Sequence, residues 1–75
     1  MQKNQELARV LIARLERLSA DPYWAHRASG VRGSLLRWVE EDRRDVGRGK
    51  NLIKYGFYVL ENAAREKSDN FLDHA

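Results

Sequence analysis

The stretch Asp21-Pro22-Tyr23-Trp24-Ala25-His26-Arg27-Ala28-Ser29-Gly30-Val31-Arg32-Gly33-Ser34-Leu35-Leu36-Arg37-Trp38-Val39 decides the fold. At helical spacing, Trp24, Ala28, Val31, Leu35, Trp38 and Val39 fall on one side and form an apolar stripe. Asp21 suits an N-cap, because its carboxylate can accept from the free N–H groups of the following turn. Pro22 suits the first helical position, where no N–H is needed. The pattern predicts one helix from Pro22 to about Arg44. Gly30 and Gly33 each weaken such a helix by about 1 kcal/mol relative to Ala. A break at Ser29-Gly30 is the alternative, but the stripe stays in phase across both glycines, which favours a continuous helix.

Two further amphipathic segments flank this one. Leu7, Ala8, Leu11, Ile12, Leu15 and Leu18 share a face, so a helix is expected over about 4–18. Ser19-Ala20-Asp21-Pro22 interrupts it. On the other side, Asp45-Val46-Gly47-Arg48-Gly49-Lys50-Asn51 reads as a turn. Leu52, Ile53, Gly56, Val59, Leu60, Ala63 and Ala64 then define a third helix, expected over about 50–67 and ended by Asp69-Asn70. Residues 69–75 read as a tail that frays or folds back on Phe71 and Leu72. The resulting expectation is a single all-α domain, an antiparallel three-helix bundle, or a three-helix protomer that completes its core by dimerising. A chain of 75 residues buries only about 60% of its unfolded surface, so its core is small and gains from a partner. Gly49, Gly56 and Ala63 recur at heptad spacing, a row that lets another helix approach closely. That row supports the expectation of a homodimer.

Charge is uneven along the chain. The formal net charge is +3, yet the segment from Arg27 to Lys54 carries eight Lys/Arg against four Asp/Glu, leaving the remainder at −1. There is no cysteine, hence no disulfide and no thiolate ligand. No apolar run reaches the roughly 18 residues that span a bilayer, so integral membrane association is not expected. Met1-Gln2-Lys3-Asn4-Gln5-Glu6 lacks the basic-then-apolar order of a secretory signal. A cytoplasmic location is the expectation.

The residues that carry chemistry are sparse. His26 and His74 are the only histidines. Ser29 lies one turn from His26, but a helical serine bonds its own backbone more readily than it attacks a substrate. Glu40, Glu41 and Asp42 are adjacent acids without an evident desolvating pocket to tune them as acid and base. No His-x-x-x-His or Cys/His cluster offers a metal site. Gly47-Arg48-Gly49-Lys50-Asn51 superficially matches a phosphate loop, but the first glycine is misplaced, Ser/Thr is missing and no strand precedes it. A non-enzymatic protein without cofactor or metal is expected.

Two surfaces stand out as candidate interfaces. His26, Gly33, Arg37 and Arg44 fall opposite the Trp24/Leu35 stripe, with Gly30 beside them, and helices seldom spend two glycines on a solvent face. Tyr55, Tyr58 and Asn62 lie on the flank of the third helix, where tyrosine is favoured for contact with partners. A helix-turn-helix DNA reader is a poor fit. Its later helices are short, whereas the third helix here is long and shows Lys54, Tyr58, Glu61 and Arg65 outward. The leading expectation is a protein-interaction module: an adaptor, a regulator or a small subunit of an assembly. The alternative is a nucleic-acid backbone binder using Arg27, Arg32, Arg37, Arg43, Arg44, Arg48, Lys50 and Lys54. Association with an anionic membrane surface is a third, weaker reading.

Overall fold

A computed structural model describes the backbone of residues 2–73 and the side chains of residues 3–66. It is an all-α three-helix bundle in which all three helix pairs touch. Helix α1 spans Gln2–Glu16, α2 spans Pro22–Glu41 and α3 spans Val46–Asp73. The chain runs up, down and up, so α2 is antiparallel to both neighbours and α1 lies parallel to α3. The molecule measures 47 × 19 × 17 Å. The apolar stripes meet in one core. Leu11, Leu35, Trp38 and Val59 are its largest fully buried side chains, and Ala8, Ile12, Leu15, Val31, Ile53 and Ala63 pack around them.

Local chemistry sets where the helices begin. The Asp21 side chain accepts from Trp24 N–H at 3.0 Å and Pro22 occupies the first turn, so α2 starts where its sequence places it. The helix runs without a break through Gly30 and Gly33, and no residue has a positive φ among those described. Its end differs from expectation. It stops at Glu41 rather than near Arg44, with the Asp42 N–H closing on Trp38 O at 3.0 Å. The early stop has an identifiable cause in Asp45, whose carboxylate accepts from Arg48 N–H at 3.1 Å and caps α3. Gly47 and Gly49 are therefore inside the first turns of α3, not in a flexible connection, and only residues 42–45 link the two helices. At the other end, the α3 backbone continues through Asp69-Asn70 to Asp73. The side chains of Phe71 and Leu72, and all of His74 and Ala75, lie outside the described residues.

The seam between α2 and α3 is set by a ring lying on a glycine. Trp38 is 2% exposed and its indole N–H donates to Asp45 O at 2.8 Å, which pins the ring over the start of α3. A Cβ added to Gly49 would overlap three atoms of that indole. Gly56 stands in the same relation to Leu11 of α1, and Ala63 is buried in the core. The row of small residues is thus filled by the chain's own α1 and α2. It does not supply the expected contact with a second copy.

Gly49→Ala should be destabilising by about 1–2 kcal/mol, because overpacking a buried ring outweighs the gain in helix propensity. Urea unfolding measures this directly, and a variant as stable as the parent would mean that the indole is free to move. Trp38→Ala should cost about 3–5 kcal/mol, most of the stability of a domain this size. Thermal unfolding followed by circular dichroism checks it, and an unchanged midpoint would remove Trp38 from the core.

Candidate interaction surface

On α2, Tyr23, Arg27, Gly30, Ser34, Arg37 and Glu41 are spaced by three and four residues and form one strip beside α3. On α3, Arg48, Asn51, Tyr55, Tyr58 and Asn62 form the facing strip. The two are joined by direct contacts. Arg27 Nη1 donates to Tyr55 Oη at 2.8 Å, and its guanidinium lies 4.7 Å from the centre of the Tyr23 ring. Tyr55 and Tyr58 stack with centroids 5.9 Å apart. Tyr58 meets Trp24 edge-on at 6.2 Å, and Trp24 meets Tyr23 at 5.0 Å. The Trp24 indole N–H donates to Glu66, which closes the top of the cluster. Tyr23 and Tyr58 are 57% and 51% exposed, so much of each residue's surface remains open to solvent.

The hydrogen bond from Arg27 to Tyr55, together with the Tyr23 and Tyr55 side chains, holds the guanidinium pKa above its ordinary value. Arg27, a cation at any physiological pH, is held against Tyr23 and Tyr55 by these contacts. Such a group loses little freedom when it meets a partner. Nearer the α2–α3 connection, Arg37, Trp38, Glu41, Asp42 and Arg48 line a small hollow in which two acids sit beside two arginines.

The expected interface residues are only partly brought together. Gly30, Arg37, Tyr55 and Tyr58 share the α2–α3 side. Gly33 is exposed farther out on α2. Arg44 lies in the α2–α3 connection and lines a separate hollow with Asn4, Gln5, Trp38, Arg43 and Val46. The basic residues disperse further. Arg27, Arg37 and Arg48 belong to the α2–α3 strips. Arg32 is on the opposite flank of α2, where its Nη1 is 3.8 Å from Glu16 Oε1. Arg43 neighbours Arg44 at the end of the bundle. Lys50 and Lys54 share a strip of α3 with Phe57, turned away from α2. No single phosphate-binding track contains all eight.

A second surface was not evident from the sequence. Between α1 and α3 runs an open groove of about 640 Å³ lined by Arg14, Arg17, Leu18, Ser19, Phe57, Leu60, Glu61 and Ala64. Phe57 in this groove is exposed, as are Leu7 and Val10 elsewhere on α1. Leu7 and Phe57 sit at the edges of their stripes, and Val10 lies outside the α1 stripe, so periodicity alone assigns none of them to an interface. No protein-family model, curated protein or solved structure matches the chain.

The exposed glycines yield a clean contrast with Gly49. A Cβ at Gly30 or Gly33 would meet nothing within 4 Å. Gly30→Ala and Gly33→Ala should therefore each raise stability, by up to about 1 kcal/mol, through helix propensity alone. Circular dichroism melting checks this, and a lowered midpoint at either position would show that the glycine serves the fold.

Proposed function

We propose that the chain is a non-catalytic protein-interaction module whose α2–α3 side docks a partner protein bearing carboxylates. The observation that carries this reading is the Tyr23–Arg27–Tyr55–Tyr58 cluster. Tyrosine and arginine are the residue types that concentrate binding energy in protein interfaces. Here Tyr23, Arg27 and Tyr58 are exposed and Tyr55 is half-buried, the four are in mutual contact, and Gly30 beside them leaves room for an incoming backbone. Arg27, Arg37 and Arg48 supply the charge that pairs with carboxylates, bidentately where geometry permits.

A polynucleotide is a weaker fit. The basic residues lie on separate sides, and Glu41 and Asp42 stand next to two of the three arginines of this surface. A phosphate backbone drawn along the α2–α3 side would run into those acids.

The test places a photo-crosslinking residue at Tyr58 and, as a control, at Ala25 on another side of α2. In cells, position 58 should yield a protein adduct that disappears on Arg27→Glu with Arg37→Glu, and position 25 should not. Purified chain should bind single-stranded polynucleotide weakly at physiological salt. Nucleic-acid adducts at position 58, with affinity falling as salt rises along a log–log slope of about −2 for three phosphate contacts, would reverse the assignment.

A further inference from the structure

We propose that the hollow at the connection end of the bundle is a binding site for a small phosphate monoester. It stands apart from the α2–α3 surface and does not rest on that reading. The hollow measures about 330 Å³ and is walled by Asn4 and Gln5 of α1, Trp38 of α2, Arg43 and Arg44 of the connection, and Val46 of α3. All three helices and the connection therefore contribute to it. Its volume falls at the lower end of the range for small-ligand cavities, roughly 300–1,000 Å³.

The charge of the lining has one sign. Arg43 and Arg44 supply two guanidinium groups, and Asn4 and Gln5 supply two side-chain amides. No acid is among the lining residues described. The nearest acids in sequence are engaged elsewhere. Asp42 lines the neighbouring hollow with Arg37, Glu41 and Arg48, and Asp45 Oδ1 accepts from Arg48 N–H at 3.1 Å. Neither Arg43 nor Arg44 is in an ion pair among the described residues. Two like charges at one hollow repel, and a bound anion offsets that repulsion. Their backbone is fixed before any ligand arrives. Asp42 N–H closes on Trp38 O at 3.0 Å, Asp45 N–H on Asp42 O at 2.9 Å and Val46 N–H on Arg44 O at 3.0 Å. Ordering the connection is then no part of the cost of binding.

Charge and donor count select the ligand. One guanidinium fork satisfies a carboxylate. A phosphate monoester has three terminal oxygens and about two negative charges at neutral pH. It matches both guanidinium groups and leaves an oxygen for the amides. A phosphodiester carries one charge and two free oxygens, so a polynucleotide is a poorer match. The organic part of the ester has an apolar wall to meet. Val46 is 40% exposed beside the Trp38 indole, whose N–H is already given to Asp45 O. An apolar ester body is therefore favoured over a bare ion.

The probe is phenyl phosphate, followed by proton–nitrogen correlation NMR on the full chain. The two tryptophans give two indole N–H signals, and Trp24 and Trp38 lie about 21 Å apart along α2. Phenyl phosphate should shift the Trp38 indole and the amides of residues 43–46 saturably, and leave the Trp24 indole in place. Inorganic phosphate and benzoate should each bind at least tenfold more weakly. Arg43→Gln and Arg44→Gln, at exposed positions, should each lose at least tenfold in affinity while keeping the thermal midpoint and the Trp24 signal. Gln5→Glu changes the charge of the lining and little else, and should weaken binding as much. Arg37→Gln, outside the hollow, should leave affinity unchanged. The absence of a saturable shift, equal binding of benzoate, or parental affinity in both arginine variants would overturn the proposal. So would equal binding of inorganic phosphate, shifts centred on Arg27 and Tyr55, or binding to phosphatidic acid vesicles in place of the ester.

Discussion

The contact between the Trp38 indole and Gly49 holds the α2–α3 half of the bundle in register. The ring is the largest fully buried side chain, and its N–H is satisfied by Asp45 O, the residue that also caps α3. One short segment therefore ends α2, starts α3 and fixes how closely they approach. A buried tryptophan needs a partner for its N–H, since leaving the group unpaired costs about 1–3 kcal/mol. The Asp45 carbonyl supplies one only if the connection is as short as residues 42–45. With the register set there, the antiparallel run of α3 brings Tyr55 opposite Arg27 and Glu66 opposite Trp24.

The apolar periodicity of the sequence was sufficient for the helix count, the α2 core stripe and the Asp21-Pro22 start, because each of these depends on local spacing and capping. The connection between α2 and α3 was not legible. Gly47 and Gly49 are poor helix formers, and read alone they signal a turn. What overrides them is one local contact, the Asp45 cap, and one tertiary contact, the ring that only a glycine at position 49 accommodates. The same limit affected the surface. Gly30 and Tyr58 were accessible to a wheel argument, since exposure follows from the opposite stripe. The gathering of Arg27 with Tyr23 and Tyr55, and the separation of Arg32 onto the Glu16 side, depend on which helix stands next to which flank. The groove between α1 and α3 was least visible. Its apolar members lie at stripe edges, and its two walls meet only because the end of α1 stands next to α3.

The five glycines divide by what surrounds them. Gly49 and Gly56 are buried and set the distance between helices, so they belong to stability. Gly30 and Gly33 face open space in the middle of a helix and lower its stability without any return inside the bundle. Gly47, beside the Asp45 cap, is close to neither extreme. A chain this small has little stability to spare. The positions at which it nonetheless departs from good helix formers on the solvent side are informative, and Gly30 lies on the strip that carries Arg27 and Arg37.

Helix α3 carries one strip of the proposed α2–α3 surface and one wall of the groove beside the end of α1. Tyr55 and Tyr58 stand on its α2 side, Phe57 and Glu61 on its α1 side. A partner on the proposed α2–α3 surface would cover side chains that the free chain leaves exposed, and would bind only the folded bundle. Such a partner stabilises the fold by RT ln(1 + [L]/Kd), about 2.7 kcal/mol at a hundredfold excess over Kd. For a bundle with so modest a core, that increment is comparable to a major core contact.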